Sequence, residues 1–200
     1  MAGDAAPTPP IACLTATARR EVRDEIVQHF RDALGLELEL FEGGVARDNL
    51  EFRVELLRPS QKDERLFELV GEQLAVDPSG AVIVYCARRR TADDAAAALD
   101  RFGIEALAYH AGLDAAERKA RQDRFVRGEV RVVCATNAFG MGIDKDDVRL
   151  VVHLSMPGSL ENYLQEAGRA GRDGAPARCV LLHDQDDVEE QFRLIALSCL

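Results

Sequence analysis

The chain has 200 residues, the length of one domain or of one domain with an appendage. Hydrophobic residues at 47% and charged residues at 30% describe a globular protein with ample core material. No apolar run approaches the roughly eighteen residues that read as a membrane span. The net charge of −10 argues against a nucleic-acid partner until its distribution is taken into account. Residues 1–80 carry nine basic and sixteen acidic side chains (−7), 81–180 carry fifteen and fourteen (+1), and 181–200 carry one and five (−4). The acidity lies at the ends, and local placement of the arginines has to decide.

In chain order, residues 1–10 hold three prolines and are expected to be disordered. Met1-Ala2-Gly3-Asp4 has an acid and no basic residue ahead of an apolar core, unlike a secretory signal. Ile11-Ala12-Cys13-Leu14 is a short apolar run. Val22, Ile26, Phe30 and Leu34 then recur every four residues, a helix that Gly35 can cap. Leu36, Leu38 and Leu40 alternate with Glu37 and Glu39, which predicts a strand, and Gly43-Gly44 makes a break. Leu50, Phe52, Val54 and Leu56 alternate with charges and predict a second strand. Ser60 is expected to cap a helix carrying Leu66, Leu69, Val70 and Leu74, ending before the turn Asp77-Pro78-Ser79-Gly80.

From there strands and helices alternate. Strands are expected at 81–86, 104–109, 130–135, 148–154 and 177–183, and helices at 91–102, 114–127, 159–168 and 186–197. Asp114 and Glu117 form a capping pair. This alternation predicts an α/β fold, a parallel sheet with helices on both faces. Ligands of such sheets bind in loops beyond the carboxyl ends of the strands. No internal repeat is evident. Five cysteines lie far apart without a Cys-x-x-Cys pair, three of them in apolar runs, so they read as reduced core residues of a cytoplasmic protein and not as metal ligands.

Several polar clusters fall at strand ends. Tyr109-His110-Ala111-Gly112 follows one strand. Thr136-Asn137 and Gly140-Met141-Gly142-Ile143-Asp144-Lys145 follow another, where small residues, a hydroxyl and backbone N–H groups suit phosphates. His110 reads as a polar contact, with no acid or nucleophile placed beside it. Arg88-Arg89-Arg90 is either a phosphate-facing strand-end cluster or a solvated loop. Asp146-Asp147 and Asp186-Asp187 read as solvated pairs, and no metal site is expected. The arginine-glycine string Gln165-Glu166-Ala167-Gly168-Arg169-Ala170-Gly171-Arg172-Asp173-Gly174 has two readings. It is either a glycine-capped helix end, or two guanidiniums on one helix face with room for phosphate oxygens.

Taken in order, these strings resemble the second RecA-like domain of the RecQ family of DNA helicases, in superfamily two, over residues 81–183. The resemblance runs through Val82-Ile83-Val84-Tyr85-Cys86, Ala108-Tyr109-His110-Ala111-Gly112-Leu113, Ala135-Thr136-Asn137-Ala138-Phe139-Gly140-Met141-Gly142-Ile143-Asp144-Lys145 and the Gln165–Gly174 string. Upstream, Leu14-Thr15-Ala16-Thr17-Ala18 is similar to the family's third motif. The resemblance implies a RecA-like fold with residues 11–50 as the tail of a first RecA-like domain, 51–80 as a linking strand and helix, and 81–200 as the second domain. It implies ATP and Mg²⁺ as cofactors of the complete helicase, and single-stranded or forked DNA as partner. Arg172 would be the arginine finger and Arg169 its support. Gln165 would couple the cleft to DNA, Gly142 and Asp144 would lie near the nucleotide, and Arg89, His110 and Thr136 would face DNA phosphates. A cytoplasmic location follows, at the nucleoid in a bacterium.

The chain departs from the family where Phe-x-Arg-Pro-Asn-Leu is usual: it reads Val45-Ala46-Arg47-Asp48-Asn49-Leu50. Asp146 replaces a proline, and Arg88 stands where serine is commoner. It contains no Gly-x-x-x-x-Gly-Lys-Ser/Thr and no Asp-Glu-x-His; Asp24-Glu25 and Asp63-Glu64 lack the histidine. The chain alone is therefore expected not to hydrolyse ATP and to need an N-terminal helicase half. The alternatives are a non-catalytic module binding single-stranded DNA or a partner, left from a truncated or split helicase gene, and an RNA-helicase relative.

Overall fold

A computed structural model of the chain describes residues 11–14, 20–41, 47–140, 143–187 and 189. Expectations for 1–10, 15–18, Gly43-Gly44, Gly142, Cys199 and most of the closing helix lie outside these residues. The chain divides into two compact units, Met1–Val45 and Ala46–Leu200.

In the first unit, the four-residue spacing produces α1 (Arg20–Leu34). Gly35 ends it in the left-handed region at φ 63°, its N–H bonded to the Arg31 carbonyl at 3.0 Å. No α1 residue is buried, and Leu14 is 93% exposed. The strand expected over Leu36–Leu40 does not form. Alternation alone makes no ladder, and no partner strand lies beside it among the described residues.

The second unit is one six-stranded sheet. Its strands are β1 (Leu50–Leu56), β2 (Ala81–Tyr85), β3 (Ala106–Tyr109), β4 (Val132–Ala135), β5 (Val148–His153) and β6 (Ala177–His183). Their order is β1-β6-β5-β2-β4-β3, and every pairing is parallel. The helices are α2 (Pro59–Val76), α3 (Arg89–Arg101), α4 (Ala115–Val126) and α5 (Leu160–Ala167). Period-two alternation splits β2 between two cores. Val82 and Val84 pack with Leu66, Leu69 and Val70 of α2 and Ala92, Ala95 and Leu99 of α3. Ala81, Ile83 and Tyr85 pack on the opposite face with Phe125 of α4 and Ala167 of α5. Helices therefore cover both faces, as the apolar runs predict. β1 and α2, set apart in the sequence as a linking strand and helix, are built into this unit: β1 pairs with β6 from Leu50↔Ala177 to Leu56↔His183.

Local signals set most boundaries. Asp114 caps α4, its carboxylate accepting the Glu117 N–H at 2.7 Å, and Ser159 caps α5 by accepting from Asn162 N at 3.1 Å. α2 begins one residue before Ser60. Pro59 occupies the first turn with its φ preset, and the Gln61 side chain accepts the Arg58 N–H at 3.2 Å. The acidic pair Asp186-Asp187 is not simply solvated. Asp187 and Asp184 both grip Lys62, at 2.5 and 2.8 Å, with side chains only 11–12% exposed. Cys86, Cys134 and Cys179 are buried thiols; burial pushes Cys86 and Cys179 up to about 12.

Candidate functional site

Parallel register brings the carboxyl ends of the strands into one row. Tyr85 is level with Ala135 and His153, and Tyr109 is level with Ala135. The residues that follow, among them Cys86, His110 and Thr136, therefore emerge on one rim of the sheet. α3 starts at Arg89, which puts that guanidinium on the same rim, against Gly112: a Cβ added at Gly112 would lie 3.3 Å from Arg89 Nη1.

His110 is buried, and both ring nitrogens are engaged within the chain. Nδ1 accepts the Gly112 N–H at 3.2 Å, while Nε2 lies 3.1 Å from Asp93 Oδ1. That bonding places the ring proton on Nε2, donated to Asp93. The expectation that no acid stands beside His110 is overturned, because Asp93 is brought in one helical turn after Arg89. His110 braces the 110–112 loop and offers no free nitrogen to a phosphate. Thr136 is buried too; its N–H bonds to the Tyr109 carbonyl at 3.1 Å and its carbonyl accepts from Phe139 N at 2.9 Å.

The arginine-glycine string begins on α5, but the helix ends at Ala167. Arg169 and Arg172 therefore lie past its end and do not share a helix face, which corrects the expectation drawn from their spacing. Arg169 is 8% exposed, and its Nε has no hydrogen-bond partner among the described residues. It packs across Gly140, where a Cβ would lie 2.6 Å from Nη2. Beneath it Tyr85 donates to the Phe139 carbonyl at 3.1 Å; burial raises that phenol well above its ordinary pKa, and Arg169 opposes the shift.

Arg172 turns outward, its side chain 34% exposed. Nη1 donates to the Ile143 carbonyl at 3.1 Å and to Asp144 Oδ1 at 2.9 Å. Two of the nucleotide candidates are thus in direct contact. Among the described residues Arg172 bonds through Nη1 alone, which leaves guanidinium donors for an anion such as a phosphate. Gln165 is exposed on α5. No group of three or more His, Cys, Asp or Glu among the described residues could hold a metal ion.

The sequence-level reading missed a buried polar group behind the arginines. His153 Nε2 lies 2.9 Å from Glu166 Oε2, and its ring stacks on Tyr85 with centroids 5.2 Å apart. Asp173, next to Arg172, is held by Nη1 and Nη2 of Arg149, which keeps its carboxyl below the usual range.

The family model described as helicase conserved C-terminal domain matches residues 61–174, more than half of the chain. The chain belongs to that family.

Among curated proteins, this helicase C-terminal domain is similar to the ATP-dependent DNA helicase RecQ of Bacillus subtilis, with 41% identity over 190 residues, covering 95% of the chain and 31% of that protein. It is similar to the RecQ-like DNA helicase BLM of Xenopus laevis, with 39% identity over 190 residues, 94% of the chain and 14% of that protein. The resemblance to RecQ helicases is thereby found across nearly the whole chain, which spans less than a third of these relatives' lengths. Among solved structures, S. cerevisiae Dbp5 bound to RNA and ADP BeF3 aligns with TM-score 0.70 at 24% identity, over 92% of the chain and 46% of Dbp5. The Pyrococcus furiosus Hef helicase domain aligns with TM-score 0.54 at 30% identity, over 66% of the chain and 28% of Hef. The Dbp5 likeness is one of fold alone. It supports the RecA-like architecture expected from the alternating elements and carries no argument for RNA.

Proposed function

We propose that this helicase C-terminal domain is the arginine-bearing half of a RecQ-type, ATP-dependent 3′-to-5′ DNA helicase motor. The observation that carries the reading is Arg172, presented past the end of α5, docked on Asp144 and retaining free donors. On this reading Arg172 is the arginine finger, stabilising charge on the transferring phosphoryl group, an effect of about 10³–10⁵ in rate in well-studied NTPases. Arg169 supports it from the buried side. Asp144 lies by the nucleotide, and Gln165 couples the cleft to DNA. Mg²⁺ would neutralise phosphate charge in a complete helicase, and none of the described residues forms a group that would hold it. Arg89 and Thr136 meet phosphates of a single strand, with His110 holding the adjacent loop in shape.

The absence of a P-loop and of Asp-Glu-x-His from the 200 residues keeps a second reading open, a non-catalytic module that binds single-stranded DNA or a partner. Both readings give no ATP hydrolysis by the purified chain, and hydrolysis above an Arg172→Ala control would sink them together. Single-stranded DNA binding should weaken as salt rises, and Arg89→Ala should lower the slope of log K against log salt by about one. An unchanged slope removes Arg89 from the DNA contacts.

A further inference from the structure

The segment that leads into β1 holds the arginine loop by its backbone. Arg47 Nη2 donates to the carbonyls of Ala170 at 2.9 Å and Gly171 at 2.6 Å, and Arg47 Nε donates to Asn49 Oδ1 at 3.3 Å. Asn49 Nδ2 donates to the same Gly171 carbonyl and to that of Ala175, both at 2.9 Å. The Gly171 N–H is also taken, by the Val148 carbonyl at 2.8 Å. Gly171 has φ +55°, and a Cβ there would lie 2.5 Å from Asn49 Nδ2 and 2.6 Å from the Ala175 carbonyl oxygen. The site is therefore built around a glycine that fits closely under the two side chains.

These bonds converge on one peptide. The Gly171 carbonyl belongs to the planar unit whose nitrogen is that of Arg172, so fixing the carbonyl fixes the direction in which Arg172 leaves the loop. Among the described residues Arg47 has no carboxylate partner; its charge is directed at carbonyl oxygens, where charge-assisted bonds are stronger than neutral ones. β1 does not need this attachment to stay in the sheet, because seven register pairs already join it to β6.

We propose that Arg47 and Asn49 are positioning residues that set where Arg172 is presented. The inference rests on the reading of Arg172 given above, and its test uses neither nucleotide nor DNA. Backbone ¹⁵N relaxation on the full chain should give an order parameter near 0.85 at Arg172, falling below about 0.6 in Arg47→Met and in Asn49→Asp, which keeps the shape but loses both donors. Arg47→Lys, retaining a cationic donor, should restore rigidity. Asp114→Ala, which removes the remote α4 cap, should leave Arg172 rigid. Asn49→Asp and Arg47→Met are independent, so either serves if the other does not fold. Rigid Arg172 in the folded variants, or equal loosening in Asp114→Ala, overturns the clamp and leaves the arginine-finger reading standing. Loss of that reading in an ATPase assay would leave the clamp measurement unchanged.

Discussion

A methyl group added at Gly140 or at Gly171 reaches different parts of the arginine loop. At Gly140 it meets Nη2 of Arg169, the far end of a side chain that can shift. At Gly171 it meets the Ala175 backbone carbonyl as well as Asn49, in a conformation that L-residues avoid. Gly171→Ala should therefore be the more costly, by more than about 1–2 kcal/mol, and Gly140→Ala the milder. Urea unfolding of both variants checks the order, and equal midpoints would contradict it. At this scale the sequence made legible what is local: the Asp114 cap, the Gly35 end of α1, and the arginines themselves. The partners were not legible. Asp93 reaches His110 across 17 residues, Glu166 reaches His153 across 13, and Arg47 reaches Gly171 across 124. No spacing rule spans such separations.

Apolar runs predicted five strands of the second unit, alternation with charges predicted β1, and the four helices placed on them were expected as well. The Leu36–Leu40 strand failed because alternation describes a face and not a partner. Elements are also tied by charge. Lys62 of α2 donates to the Leu154 carbonyl at 2.9 Å and pairs with Asp184 and Asp187, just beyond β6. For Asp184, burial pushes the carboxyl up, but hydrogen bonds from Lys62 and the Asp187 N–H outweigh it and leave the pKa lowered. A lowered folded-state pKa adds stability above the unfolded value, near 4, that is lost as pH falls through the folded one. Asp184→Asn should cost about 1 kcal/mol at pH 7, with the gap to the parent closing below about pH 4. A gap constant from pH 7 to 3 would show that the carboxylate does not act through its charge.

For the whole molecule, a net charge of −10 misleads, because the middle of the chain is balanced and the fold distributes its arginines: Arg89 follows the carboxyl end of β2, while the loop of Arg172 is bonded to Val148 at the amino end of β5. Order along the sequence becomes proximity through parallel register. Three strings that are far apart in the chain leave β2, β3 and β4 on one rim, and the arginine-glycine string packs back on the loop after β4 through Arg169 and Gly140; their succession identified the family where any one alone could not. No Gly-x-x-x-x-Gly-Lys-Ser/Thr string occurs within these 200 residues. The central claim, that Arg172 acts on a nucleotide held by another half, is tested by placing this chain in Bacillus subtilis RecQ in exchange for the matching segment. DNA-stimulated ATP hydrolysis by the chimera should fall by about 10³-fold or more in Arg172→Ala while single-stranded DNA binding is kept. A chimera that binds DNA and hydrolyses ATP equally fast with and without the Arg172 guanidinium would contradict the account.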